Sequence, residues 1–230
     1  MQIVGEEIKR MEQKQYNSRT PFIPVNIPHE ILEDLRAVSI DHWETEYMPK
    51  VDTLRVHNLY INPPIEKDPY QNLLKFLKED CGLQPKSIIL FPTKPNSLKD
   101  PHRDGPREAY SYAGLNIPIR NAEESTMVWW PNFPEDRVVN YSLSKPDGSK
   151  SIGFDIVPIF NPSEFDEVLP ENRLILDKPY LVNTNIIHGV DSRTNPNYRL
   201  VLSVRFMFNP KIDEVFNTMK THYTEIDEFE

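Results

Sequence analysis

The sequence predicts a mainly β fold with flanking helices, a sandwich or barrel, and two observations predict it. From Ser87 onward, runs of β-type residues succeed one another, separated by Pro, Asn, Asp and Gly. Segments with helical periodicity are confined to the first 82 residues and the C-terminal tail. The chain also holds only seven glycines against 22 prolines, with no G-x-G-x-x-G, Walker-type or G-x-S-x-G signature, which removes the usual support for nucleotide-dependent and α/β-hydrolase readings. At 230 residues it is long enough to bury roughly 70% of its unfolded surface around one core.

In chain order, Val4 to Lys14 is polar and amphipathic, and PFIPVNIP reads as an extended edge segment. HEILEDLRAV places Ile31, Leu32, Leu35 and Val38 at helical spacing. VDTLRVHNLYIN around Leu54 reads as a strand. DPYQNLLKFLKEDCG reads as a helix with the apolar stripe Leu73, Leu74, Phe76 and Leu77, closed by Gly82. The predicted strands are then SIILFPT, SYAGLNIPIR, STMVWWPN, GFDIVPIF, RLILDKPYLVNTNII and YRLVLSVRFMF, followed by a helix in NPKIDEVFNTMKTHYTEIDEFE. With no repeat and no long linker, a single domain over 1–230 is expected: a flank over 1–85, a β core over 86–208, and a helix with an acidic tail over 209–230.

Charge and cysteine content narrow the chemistry. Twenty-six basic against 35 acidic residues give a net charge of −9, which disfavours a nucleic-acid backbone as partner at long range. One cysteine, Cys81, excludes an intrachain disulfide and a cysteine-cluster metal site, so any metal must sit on His, Asp and Glu. No apolar run reaches the ~18 residues of a spanning helix, and no secretory pattern opens the chain, so a cytoplasmic address is expected.

Two His-x-acid pairs occur. His102-Arg103-Asp104 places an imidazole and a carboxylate on the same side of an extended segment, where both could reach one metal. His42-Trp43-Glu44 follows the HEILEDLRAV helix without a strand pattern around it, and about one such pair is expected by chance with this composition. The first pair gains from His188, read as the end of the strand-like PYLVNTNII. Two His and one carboxylate form the facial set that suits non-haem Fe(II) and leaves coordination positions open. YRLVLSVRFMF adds a further constraint. Leu200, Leu202, Val204 and Phe206 make one face wholly apolar, so Arg199, Val201, Ser203 and Arg205 share the other. Buried guanidinium groups need anions, either internal carboxylates or a carboxylate ligand.

His102-x-Asp104, the distal His188, and Arg199 with Ser203 in the last core strand resemble the 2-oxoglutarate/Fe(II)-dependent oxygenases. The flanks LNIPIRNAEESTMVWWP and KPYLVNTNIIHGVDSR are similar to small members of that superfamily found in phage and marine microbial genomes. The resemblance covers roughly Ile88 to Phe208. It implies a double-stranded β-helix of the jelly-roll or cupin-like kind, Fe(II) held by His102, Asp104 and His188, and Arg199 on the distal carboxylate of 2-oxoglutarate. The implied reaction consumes 2-oxoglutarate and O₂, releases succinate and CO₂ and hydroxylates a substrate, in the host cytoplasm for a phage protein. Ser203 lies four positions past Arg199 where many members place a serine two positions past, and Arg205 is a second candidate for the co-substrate, as in the DNA-alkylation-repair branch. Asn116, on the face of its strand opposite Leu115 and Ile117, is a further co-substrate candidate. Arg103, Tyr110, Tyr112, Arg120, Trp129 and Trp130 are candidate substrate contacts. The alternative is a cupin-like module that binds a metal or small acid without turnover.

Overall fold

A computed structural model describes residues 16–50, 61–104, 113–142 and 153–222. Among these, eleven strands form two antiparallel sheets. The first sheet has the order β1 (Phe22–Pro24), β9 (Tyr180–Asn183), β4 (Ala113–Arg120), β11 (Arg199–Phe206), β2 (Pro85–Thr93). The second has the order β6 (Val139–Ser142), β7 (Gly153–Ile156), β3 (Ser97–Arg103), β10 (Ile187–Ser192), β5 (Thr126–Trp130), β8 (Arg173–Ile175). The core pairings are nested. β2 pairs with β11, β3 with β10, β4 with β9 and β5 with β8, so that the chain runs out along one set of strands and returns along their partners. Those nested pairs, with successive strands alternating between the facing sheets, make the fold a double-stranded β-helix.

The alternation along β11 explains how the layers stack. Leu200, Leu202, Val204 and Phe206 join a core on the outer face of the first sheet, covered by the helices α1 (His29–His42), α2 (Asp68–Lys75) and α3 (Ile212–His222). Leu35, Leu73 and Val215 bring those helices into it. Arg36 Nε donates to the Pro118 carbonyl at 3.3 Å, tying α1 to β4. Pro118 sits in a central strand beside a register shift between Leu200 and Val201, an irregularity that accommodates a residue without an N–H. A second core lies between the sheets, where Met127, Trp129 and Val190 meet Tyr180, Val182 and Val201.

Several elements differ from the sequence expectation. RLILDKPYLVNTNII is not one strand: Arg173–Ile175 and Tyr180–Asn183 lie in different sheets, split by a turn at Asp177 to Pro179. His188 does not end that run but is the second residue of β10, which continues to Ser192. The periodicity misled here because both flanks of the Asn-Thr-Asn turn are apolar. Strand β3 was not foreseen as a ladder strand, since LKDPHR carries polar side chains on both faces and a proline. β6 was not foreseen either. The α1 helix reaches His42 and runs on through a wide turn over Trp43–Tyr47, so the His42-Glu44 pair lies within helical structure rather than after it. After α2, the chain likewise continues helically through Phe76–Asp80 before Gly82, whose φ of 66° fits a helix terminus. The expected segments Val4 to Lys14 and most of VDTLRVHNLYIN lie outside the described residues, although Ile61 bridges to Leu90 at the edge of β2.

Candidate metal and co-substrate site

His102 and His188 are direct partners in the antiparallel β3–β10 ladder, and their rings are 4.6 Å apart between centroids. Asp104 stands one residue beyond β3, where its backbone N–H donates to the Thr184 carbonyl at 3.3 Å. One ligand atom from each of His102, Asp104 and His188 lies within 4.8 Å of the other two. This is the only such group of three among the described residues.

The histidine tautomers suit a metal. Nδ1 of His102 is 2.8 Å from the Asp100 carbonyl oxygen, and Nδ1 of His188 is 2.9 Å from that of Ile186. A carbonyl only accepts, so each Nδ1 donates to it, and in the neutral ring that leaves Nε2 with its lone pair. His102 Nε2 approaches Asp104 Oδ1 at 3.4 Å. Asp104 Oδ2 accepts from Arg205 Nη2, which leaves Oδ1 turned to the histidines. Burial pushes the Asp104 carboxyl up, but the Arg205 guanidinium and the adjoining His102 and His188 rings hold it well below its ordinary value. Burial, with the neighbouring His102, lowers His188 to about 3. The site thus presents one carboxylate and a neutral imidazole at neutral pH, a hard oxygen and nitrogen donor set suited to a divalent ion such as Fe(II).

The cavity beside this group is lined from the first sheet by Phe91, Thr93, Val201, Arg199 and Arg205, and from the second by Lys99, Met127 and Val190. Arg199 is 3% exposed, and its Nε and Nη2 are buried without a hydrogen-bond partner. Burial lowers its guanidinium to about 10, so it stays cationic at neutral pH. A buried, unpaired guanidinium costs several kcal/mol, and a carboxylate in the cavity would offset that cost. Arg205, in contrast, is engaged with Asp104. Gly114 makes this possible, because a Cβ there would collide with the Arg205 guanidinium.

The other expected residues are distributed unevenly. Ser203 Oγ donates to Asn116 Oδ1 at 2.7 Å, so these two candidates are partners of each other; Asn116 also borders the cavity. Trp129 is buried, donates to the Asn183 carbonyl at 2.9 Å and lies nearly parallel to His188 at 6.4 Å. Trp130 points to the opposite face, against Phe133, Phe160 and Phe165. Arg103 points away from His102 and binds Glu135 and Asp155. Arg120 pairs with Glu44 at the surface, at 2.6 Å. Tyr110 and Tyr112 lie outside the described residues. His42 stacks edge-on against Tyr47 near a separate surface depression of about 430 Å³. Sequence reasoning missed Lys99, Thr93 and Phe91 as cavity residues. Lys99 lies three positions before His102, but only the ladder register, unforeseen for β3, would have turned it inward.

No family model and no curated protein matches the sequence. Among solved structures, the chain is similar to the epimerase SnoN in complex with Fe3+, alpha ketoglutarate and nogalamycin RO, with 11% identity over 82% of this chain and 79% of that one and a TM-score of 0.48. It is similar to HygX from Streptomyces hygroscopicus with nickel and 2-oxoglutarate bound, at 14% identity, 82% and 84% coverage and a TM-score of 0.47. It is also similar to the non-heme alpha ketoglutarate dependent carbocyclase SnoK from nogalamycin biosynthesis, at 10% identity, 82% and 80% coverage and a TM-score of 0.48.

Proposed function

We propose that the chain is an Fe(II)- and 2-oxoglutarate-dependent oxygenase that hydroxylates a substrate and releases succinate and CO₂. The observation that carries this reading is the unpaired, buried Arg199 guanidinium in the same cavity as the His102, Asp104 and His188 donor atoms. A site meant only for a metal has no use for a second, unneutralised cation beside it. A 2-oxo diacid reconciles the two: its oxo-acid end suits the metal and its distal carboxylate suits the guanidinium.

In this reading His102, Asp104 and His188 hold Fe(II), which together with the 2-oxo acid supplies O₂ activation and C–H oxidation when bound. The chain's own residues prepare that chemistry. The Asp100 and Ile186 carbonyls fix both imidazoles with Nε2 free, and Arg205 keeps Asp104 ionised and directs Oδ1 toward them. Arg199 orients the co-substrate, while Met127, Val190 and Val201 give the cavity an apolar wall. The reading includes a cytoplasmic protein, and among the described residues no helix is long and apolar enough to cross a membrane.

The test is succinate release from 2-oxoglutarate by the Fe(II) protein with ascorbate. Turnover that disappears in His188→Ala and Arg199→Ala supports the oxygenase. Tight binding of metal and 2-oxoglutarate with no succinate under any substrate would instead make it a cupin-like binding module.

A further inference from the structure

Lys99 enters the cavity from β3, in register with Val190, and its ammonium lies 5.3 Å from the centroid of the Phe91 ring. Phe91 pairs with Val201 and Thr93 with Arg199 across the β2–β11 ladder, so Lys99 reaches over the same end of the cavity that Arg199 enters. Among the described residues neither cation forms an ion pair, while the one carboxylate lining the cavity, Asp104, is taken by Arg205. Burial and the neighbouring Arg199 and Arg205 disfavour the charge on Lys99, and the one carboxylate that favours it, Asp104, is already bonded to Arg205, so this end of the cavity holds more basic groups than its protein anion neutralises.

We propose that Lys99 is a second binding residue for the distal carboxylate of the 2-oxo acid, acting with Arg199 as a two-cation cradle; this deepens the co-substrate reading above and rests on it. A carboxylate has two oxygens and about four acceptor sites, enough for the Arg199 fork and one ammonium donor together. The pair also defines the co-substrate class. A 2-oxo acid without a distal carboxylate would bury two cations with nothing to neutralise them, so the site selects a diacid.

The experiment is calorimetric titration of the Ni(II)-loaded protein, in which no turnover occurs, with 2-oxoglutarate and with 2-oxobutyrate. Lys99→Met keeps the stem over Phe91 and removes the charge. The expected result is a loss of about ten- to a hundredfold in 2-oxoglutarate affinity, with Ni(II) affinity and 2-oxobutyrate binding unchanged and partial recovery in Lys99→Arg. Lys99→Gln gives the same comparison if the methionine variant does not fold. Wild-type 2-oxoglutarate affinity in these variants, or an equal loss for 2-oxobutyrate, overturns the role of Lys99 and leaves the co-substrate reading standing. A wild-type protein that binds Ni(II) but not 2-oxoglutarate overturns both.

Discussion

His188 and His102 face each other across the β10–β3 ladder, with ring centroids 4.6 Å apart and each Nδ1 turned to a carbonyl two residues earlier in its own chain. This relationship makes the pair a unit, since either ring alone offers a metal one nitrogen. His102→Ala and His188→Ala should each reduce Fe(II) or Ni(II) affinity by at least a hundredfold in an anaerobic titration, and Asp104→Ala should do so together with succinate output. His42→Ala, on the helical flank, should bind metal as the wild type does. Metal loss in the His42 variant would put the site elsewhere.

Gly114 tests the support beneath Asp104. Any side chain at this position must displace the Arg205 guanidinium, whose other amino group holds the Asp104 carboxylate. Gly114→Ala should therefore weaken metal binding by about ten- to a hundredfold, the usual effect of losing a group that orients a ligand. Equal affinity in the variant would show that Asp104 needs no such support.

Arg199 predicts a trade between stability and function. Its guanidinium is 3% exposed and unpartnered at Nε and Nη2, so Arg199→Met should stabilise the metal-free protein by about 1–3 kcal/mol in urea unfolding. The same variant should lose 2-oxoglutarate binding with Ni(II) affinity little changed. Destabilisation instead would mean that the arginine serves the fold.

Acid sensitivity of the metal-free protein follows from His188. Its folded value is lowered from 6.5 to about 3 by burial and by His102. Between those values the unfolded chain binds a proton that the folded protein does not, so stability falls as pH is lowered from about 6.5. The slope is at most about 1.4 kcal/mol per pH unit for this one group. Asp104, whose carboxyl is lowered, acts in the same direction only as pH falls through and below the ordinary carboxylate value of 3.8. Urea midpoints between pH 7.5 and 5 should show the fall, and His188→Gln should flatten it.

How much of this was legible in the sequence depends on which face of each strand carried a pattern. β11 was readable because four apolar side chains alternate with Arg199, Val201, Ser203 and Arg205, and the structure puts the apolar set under the helices. β3 was not, because both of its faces are polar, and with it went Lys99. His188 was found as a residue but misplaced on its strand, since the turn at Asn183 to Ile186 interrupts an apolar stretch without a glycine or proline. The long-range pairings of Arg205 with Asp104, and of Ser203 with Asn116, depend on register, which periodicity alone does not set.

The most direct test of the central claim is an anaerobic titration of 2-oxoglutarate into the Fe(II) protein, followed by the visible metal-to-ligand absorption band. A saturable band at one equivalent per chain, absent in His188→Ala and shifted to much higher 2-oxoglutarate concentration in Arg199→Ala, is the predicted result. Iron bound at His102, Asp104 and His188 with no band at any 2-oxoglutarate concentration would contradict it.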